Sequence, residues 1–115
     1  MAKHTLFTLT PWIEADGTGP YYCPDCAVVE GFLHYSPEIR DKIEIIQVDF
    51  PRPRNEVAEI LGAENQSCPV LVLTEDAEMA PAAKESLSTK RKFINEALAI
   101  CNFLAVTYDG IKPHP

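Results

Sequence analysis

The sequence lacks any long hydrophobic run. No stretch of its 115 residues approaches the roughly 18 apolar positions that a membrane-spanning helix needs. The first residues lead directly into the strand-like run Thr5–Leu9, and they lack the apolar segment of a secretory signal peptide. We therefore expect a soluble, cytoplasmic protein without a membrane partner.

Positive charge is also scarce. Ten Lys and Arg residues stand against 17 Asp and Glu residues, which gives a net charge of −7. Because nucleic-acid binding normally requires a basic surface, this balance argues against a nucleic-acid partner. The sequence also lacks a phosphate-binding glycine loop, a Ser-His-Asp pattern and a zinc-hydrolase helix, so it points to none of those enzyme classes.

Four cysteines are present in a chain that has room for one domain, which we expect to span residues 1–115. A chain of this length can bury enough apolar surface to fold without disulfides or metals. In a cytoplasmic protein, cysteines are more often catalytic, metal-binding or buried than joined in structural disulfides. Cys23 and Cys26 have the Cys-x-x-Cys spacing that suits the first two roles.

Hydrophobic patterning predicts an alternation of strands and helices. The predicted elements are a strand at 5–9, a helix from Cys23 that ends before Pro37, a largely buried strand at 43–48, a short helix at 54–61 capped by Gly62, a strand at 70–73, a short edge strand at 91–94 and a final helix capped by Asn95. The first strand, helix and strand imply a parallel pair with a right-handed crossover. Residues 75–90 are polar, and we expect them to form a long exposed loop.

The two long helices each show an apolar face at helical spacing. The residues expected to be buried are Val28, Val29, Phe32, Leu33 and Tyr35 in the first helix, and Ala97, Cys101, Leu104, Ala105 and Tyr108 in the last. Cys101 therefore has a packing role in this interpretation, as free cysteine is among the most buried residue types.

The segment Cys23-Pro24-Asp25-Cys26 lies where the first helix begins. Pro24 suits the first helical position, because the fixed φ of proline and its missing N–H cost nothing there. A thiolate at Cys23 would lie at the helix N-terminus, where free N–H groups and the helix dipole favour negative charge, although the Asp25 carboxylate opposes it. Cys26 faces the same side. We therefore interpret Cys23 as the nucleophile and Cys26 as the second thiol.

This order of elements, with the Cys-x-x-Cys segment at the first helix and Pro69 before the third strand, resembles the thioredoxin and glutaredoxin fold. More closely, the chain resembles a family of uncharacterised bacterial thioredoxin-like proteins. The residues that carry the likeness are Tyr22 to Cys26, Arg52-Pro53-Arg54, Asn65-Gln66 and the ending Pro113-His114-Pro115. The resemblance implies an α/β fold of order β-α-β-α-β-β-α, with a four-stranded mixed sheet flanked by three helices.

The resemblance also implies that Pro69 is a cis-proline facing the redox pair, which would bring Cys68 next to Cys23. Three interpretations of Cys68 are open: a small residue that fills a gap, a third redox thiol, or a metal ligand together with Cys23 and Cys26. In the last case zinc or an iron–sulfur cluster would be the cofactor, since both favour thiolate ligands.

Three other residues are candidates for substrate binding. Tyr22 precedes the first cysteine and could line the sulfur site. Arg52 and Arg54 could bind a carboxylate of a peptide or of glutathione, or they could pair with nearby acids such as Asp49 and Glu56.

Three functions follow as hypotheses. The first is a thiol–disulfide oxidoreductase without a bound cofactor that acts on a protein or small-molecule disulfide, with glutathione as an alternative thiol co-substrate. The second is a metal or iron–sulfur protein ligated by Cys23, Cys26 and Cys68. The third is a non-catalytic module that binds extended peptides beside Pro69.

Overall fold

The computed structural model describes residues 3–115; Met1 and Ala2, at the start of the N-terminus discussed above, lie outside the described residues. Its elements, in chain order, are β1 Thr5–Leu9, α1 Pro24–Tyr35, a short 3₁₀ helix Pro37–Asp41, β2 Glu44–Val48, α2 Asn55–Leu61, β3 Val70–Val72, β4 Lys84–Glu85, β5 Lys92–Ile94 and α3 Ala97–Tyr108. Among the described residues, no helix is long and apolar enough to cross a bilayer.

The strands form one mixed sheet in the order β2-β1-β3-β5-β4. β1 pairs parallel with β2 and antiparallel with β3, while β5 pairs antiparallel with both β3 and β4. The predicted parallel pair is therefore confirmed, with α1 in the connection between β1 and β2.

Alternation along the strands divides the core between the two faces of the sheet. Leu6 and Leu71 are paired neighbours that pack with residues of α1 and α3, including Leu33 and Leu104. The adjacent strand residues point the other way and pack with α2; this second cluster includes Phe7, Leu9, Val57, Leu61, Val70, Val72 and Phe93. The result is a sheet covered on both faces, with the end of β1 next to the start of α1.

The prediction of four strands is wrong by one. β4 lies within the segment expected to be an exposed loop, and it extends the sheet by pairing with β5. Both residues of β4 are exposed, so the hydrophobic pattern contains no signal for it. Backbone pairing holds this strand, and the buried Ser86 that follows it donates a hydrogen bond to the carbonyl of Leu61 at 2.7 Å. The strand at 92–94 is consequently internal and not the edge strand that was predicted.

Three smaller expectations also fail. β2 is an edge strand with exposed Glu44 and half-buried isoleucines, so it is not largely buried. In α1, Val28 and Tyr35 are exposed: they line an open cavity beside α3, whereas Val29, Phe32 and Leu33 are buried in the core. Asn95 does not cap α3: the capping position belongs to Glu96, whose side chain makes no capping hydrogen bond.

Gly62 ends α2, as predicted. Its N–H donates to the carbonyl of Ala58 at 2.8 Å, and its φ of +89° and ψ of 157° lie in a region open almost only to glycine. A Cβ there would also collide with the side chains of Glu64 and Ser88. Gly31, within α1, faces open space.

The two glycines should therefore respond oppositely to alanine. We expect Gly62→Ala to lower the free energy of unfolding by about 1–3 kcal/mol, because alanine is strained at this φ and ψ. Gly31→Ala should raise it by about 0.5–1 kcal/mol, because alanine favours the helix. Urea unfolding followed by circular dichroism measures both, and equal changes in the two variants would contradict this assignment.

Candidate active site

Cys23 occupies the capping position at the N-terminus of α1. Its Sγ accepts a hydrogen bond from the backbone N–H of Cys26 at 3.3 Å, and Pro24 fills the first helical turn as predicted. The side chain is half-buried, so its sulfur is accessible to a substrate. The local geometry therefore offers a developing thiolate both an N–H donor and the positive end of the helix dipole.

Cys26 lies one turn further and is almost completely buried, with 5% of its surface exposed. Its Sγ accepts the backbone N–H of Leu9 at 3.4 Å, which ties the first turn of α1 to the end of β1. Burial raises the pKa of the Cys26 thiol to about 12, and the neighbouring Cys23 raises the pKa further, whereas the Leu9 N–H opposes the rise. Cys26 is thus protonated at neutral pH and must lose its proton before it can act as a nucleophile.

Residue 68 also lies next to Cys23. The peptide bond between Cys68 and Pro69 is cis, and the carbonyl oxygen of Cys68 is 4.0 Å from the Cys23 Sγ. Cys68 is half-buried and packs on the same apolar cluster as Cys23 and Cys26. The structure therefore brings together the three cysteines that the sequence singled out.

A buried cation stands beside Cys68. Burial raises the pKa of the Cys68 thiol to about 11; the positive charges of Arg54 and Arg52 oppose this rise, and the neighbouring Cys23 adds to it. Arg54 is only 7% exposed. It is therefore a fixed element of the site rather than a mobile surface side chain.

The guanidinium of Arg54 is held by backbone carbonyls. It donates to Phe50 O at 2.9 and 2.8 Å and to Gln66 O at 2.9 Å, and it lies 5.3 Å from the centre of the Phe50 ring. The Arg54 backbone N–H donates to the Gln66 side chain. The sequence analysis predicted that Arg54 either binds a substrate carboxylate or pairs with Asp49 or Glu56. The observed contacts match neither prediction. Arg52 is exposed.

The loop before α1 folds back on itself. Trp12 and Tyr21 form an antiparallel bridge, and the Trp12 ring stacks on Phe50 with centroids 4.1 Å apart. Trp12 therefore packs this loop onto the domain. Tyr22, which follows the bridge, is 68% exposed and lines a cavity of about 230 Å³ together with Cys23 and Cys26.

This cavity lies on the α1 side of the sulfurs. Its polar lining comes from Thr8, Glu30 and Gln47, none of which the sequence analysis had selected. Two larger cavities lie elsewhere. One, of about 460 Å³, is lined by α1, α3 and residues 111–114, and the other, of about 470 Å³, is lined by α3 and residues 80–82. Neither is lined by Cys23, Cys26 or Cys68. The small cavity is therefore the one that matters for chemistry at Cys23.

Within residues 3–115, no group of three or more His, Cys, Asp or Glu side chains is arranged to hold a metal ion. The three cysteines are close, but their sulfurs do not form such a ligand set. The alternative of zinc or an iron–sulfur cluster ligated by Cys23, Cys26 and Cys68 is consequently not supported by this geometry.

Comparison with known proteins assigns the chain to a family. The family model described as a protein of unknown function, DUF3088, matches residues 3–112. The chain belongs to this family. No curated protein matches the sequence significantly.

A solved structure supports the architecture of this DUF3088 protein. The crystal structure of glutathione transferase Omega 2C from Trametes versicolor matches 95% of the chain with a TM-score of 0.55 and 17% sequence identity. The match covers 39% of that transferase, so the chain spans about two-fifths of its length. At this identity the likeness shows the fold alone, and the fold is thioredoxin-like.

Cys101, the fourth cysteine, is fully buried on α3, as predicted. Its Sγ lies 3.9 Å from the carbonyl of Val28, and burial raises the pKa of its thiol to about 11. It packs with the α1 and α3 cluster on the opposite face of the sheet from Cys68. Cys101 is therefore a matched control for every experiment on the other three cysteines.

Sequence reasoning missed Gln66 as the partner of Arg54. Asn65-Gln66 was noted only as part of a family likeness, and no local pattern indicates that Gln66 binds a residue twelve positions earlier. The one sequence feature that could have indicated this contact is the position of Arg54 between Pro53 and the start of α2.

We expect Arg54→Met to lower the free energy of unfolding by about 2–4 kcal/mol, because it leaves the buried carbonyls of Phe50 and Gln66 without donors. Arg52→Met is the matched control and should change it by less than about 0.5 kcal/mol, as for other exposed sites. Urea unfolding measures both values. An equally small effect of Arg54→Met would show that these hydrogen bonds do not stabilise the site.

Proposed function

We propose that the protein is a thiol–disulfide oxidoreductase in which Cys23 is the nucleophile and Cys26 the resolving thiol. One observation carries the proposal: a half-exposed cysteine at the N-terminus of α1 accepts the N–H of a buried cysteine three residues later. Both are free thiols. A pair at this spacing can close a disulfide without rearrangement of the helix.

The difference in burial supports the order of the two roles. A substrate disulfide must reach the attacking sulfur, and Cys23 is the more exposed of the pair. Cys26 needs to reach only the sulfur of Cys23. The high pKa of Cys26, caused first by burial, also disfavours it as the first nucleophile at neutral pH.

The reaction balances without a bound cofactor. The Cys23 thiolate attacks one sulfur of a substrate disulfide, a mixed disulfide forms, and the first substrate thiolate leaves. Cys26 then loses its proton and attacks the Cys23 sulfur, which forms the Cys23–Cys26 disulfide and releases the second substrate thiolate. The substrate gains two electrons from the protein dithiol, and an external thiol, for which glutathione is one candidate, restores the dithiol.

The substrate is a protein or small-molecule disulfide. The cavity of about 230 Å³ beside Cys23 and Tyr22 has room for a small group attached to the attacked sulfur. On the other side, exposed Arg52 is available to a substrate carboxylate, whereas Arg54 is engaged with backbone carbonyls. A cytoplasmic location would suit this role, since a reducing compartment keeps the thiols reduced.

Replacement of the nucleophile tests the proposal. Cys23→Ser should lower the rate of reduction of a chromogenic aromatic disulfide by at least about a hundredfold, because a serine hydroxyl is not ionised at neutral pH. Cys101→Ala should leave the rate unchanged. The assay follows the coloured thiolate with an excess of a small thiol reductant, and a Cys23→Ser protein as active as wild type would contradict the proposal.

The pH dependence of the resolving step is a second test. Because burial raises the pKa of Cys26 from its ordinary 9.0 to about 12, its thiolate fraction at neutral pH is lowered and should grow about tenfold per pH unit. The rate at which the mixed disulfide on Cys23 resolves should therefore still rise above about pH 9.

Stopped-flow release of the second coloured thiolate measures this rate. Protein unfolded in urea is the control: without burial, the profile should flatten near the ordinary pKa of 9.0. A plateau near that pH in the folded protein would contradict the role of burial at Cys26.

A further inference from the structure

Cys68 is a third thiol within the site and has no role in the reaction above. Its carbonyl is 4.0 Å from the Cys23 Sγ, and its side chain packs on the apolar cluster that contains Cys23 and Cys26. It is half-buried, whereas Cys26 is almost completely buried. Cys68 is thus the more exposed residue of the two cysteines next to Cys23.

The surroundings of Cys68 differ from those of an inert core cysteine. Arg54, anchored by the carbonyls of Phe50 and Gln66, places a positive charge near the Cys68 thiol. No such cation acts on Cys101, whose pKa is set by burial and its own backbone alone. This cation opposes the effect of burial, which still raises the pKa of the Cys68 thiol to about 11, so attack by Cys68 on Cys23 should become faster as the pH rises.

The two cysteine neighbours of Cys23 differ in their relation to the small cavity. Cys26 lines the cavity that holds Tyr22, whereas Cys68 does not line that cavity. A substrate group that fills the cavity would contact Cys26 and would not contact Cys68.

We propose that Cys68 is a second resolving thiol, so that the oxidised protein exchanges between a Cys23–Cys26 and a Cys23–Cys68 disulfide. The proposal rests on the proposed function, since both disulfides arise from a mixed disulfide on Cys23. It adds a third catalytic sulfur to that site and a second route for substrate release.

The exchange needs no outside oxidant. Cys68 gives its proton to solvent, and its thiolate attacks the Cys23 sulfur of the Cys23–Cys26 disulfide. The Cys23–Cys68 bond forms, the Cys23–Cys26 bond breaks, and Cys26 leaves as a thiolate that takes up a proton. The same attack on a mixed disulfide releases the substrate thiolate instead.

Removal of Cys26 isolates this route. The full-length protein carrying Cys26→Ser, and in parallel Cys26→Ala, is treated with one equivalent of the chromogenic aromatic disulfide. We expect two coloured thiolates per protein, the second released as Cys68 closes on Cys23. In Cys26→Ser/Cys68→Ser the second release should be at least about tenfold slower, because no intramolecular thiol remains near Cys23.

Peptide mass mapping after alkylation identifies the bonds. We expect a Cys23–Cys68 peptide in both Cys26 variants and, as a minor fraction, in oxidised wild type. Cys26→Ser/Cys101→Ala is the matched control and should behave as Cys26→Ser. A Cys26→Ser adduct as long-lived as that of the double variant, with Cys68 alkylated throughout, would overturn the role of Cys68 and leave the Cys23–Cys26 pair intact. A protein in which Cys23 forms no adduct would overturn both proposals.

Discussion

The hydrogen bond from the Cys26 N–H to the Cys23 Sγ is the interaction on which the site depends. It exists because Cys23 caps a helix whose first turn contains Pro24, and because Cys26 is anchored to β1 by the N–H of Leu9. Strand pairing positions Leu9 at the end of β1, and the Leu9 N–H in turn holds Cys26 in the first turn of α1. The arrangement exposes one sulfur of the pair at a helix N-terminus and buries the other beneath it.

Sequence reasoning found the features that local chemistry determines. β1 alternates in side-chain direction, Pro24 marks the start of α1, and Gly62 ends α2; each of these has a direct physical cause at its own position. β4 was missed because two exposed residues paired only through their backbone give no hydrophobic pattern. The contacts of Arg54 were missed because its acceptors are main-chain carbonyls brought near by folding.

The environments of the cysteines differ. Cys101 and Cys26 are both buried, but the backbone N–H of Cys26 donates to the Cys23 Sγ, and Cys68 is distinguished from both by the positive charge of Arg54 near it. The match to a glutathione transferase, at 17% identity, shows the fold that holds these residues, and the proposed chemistry is argued from the residues themselves. The family membership sets no constraint on the substrate, so the sulfur site is the basis of the functional argument.

A redox titration tests the central claim most directly. The protein is equilibrated in thiol–disulfide buffers of defined potential, its free thiols are alkylated, and the disulfides are mapped by mass. The account predicts a reversible two-electron transition at Cys23, in which the ratio of oxidised to reduced protein changes tenfold for about 30 mV. A Cys23 that remains a free thiol across the whole range would contradict it.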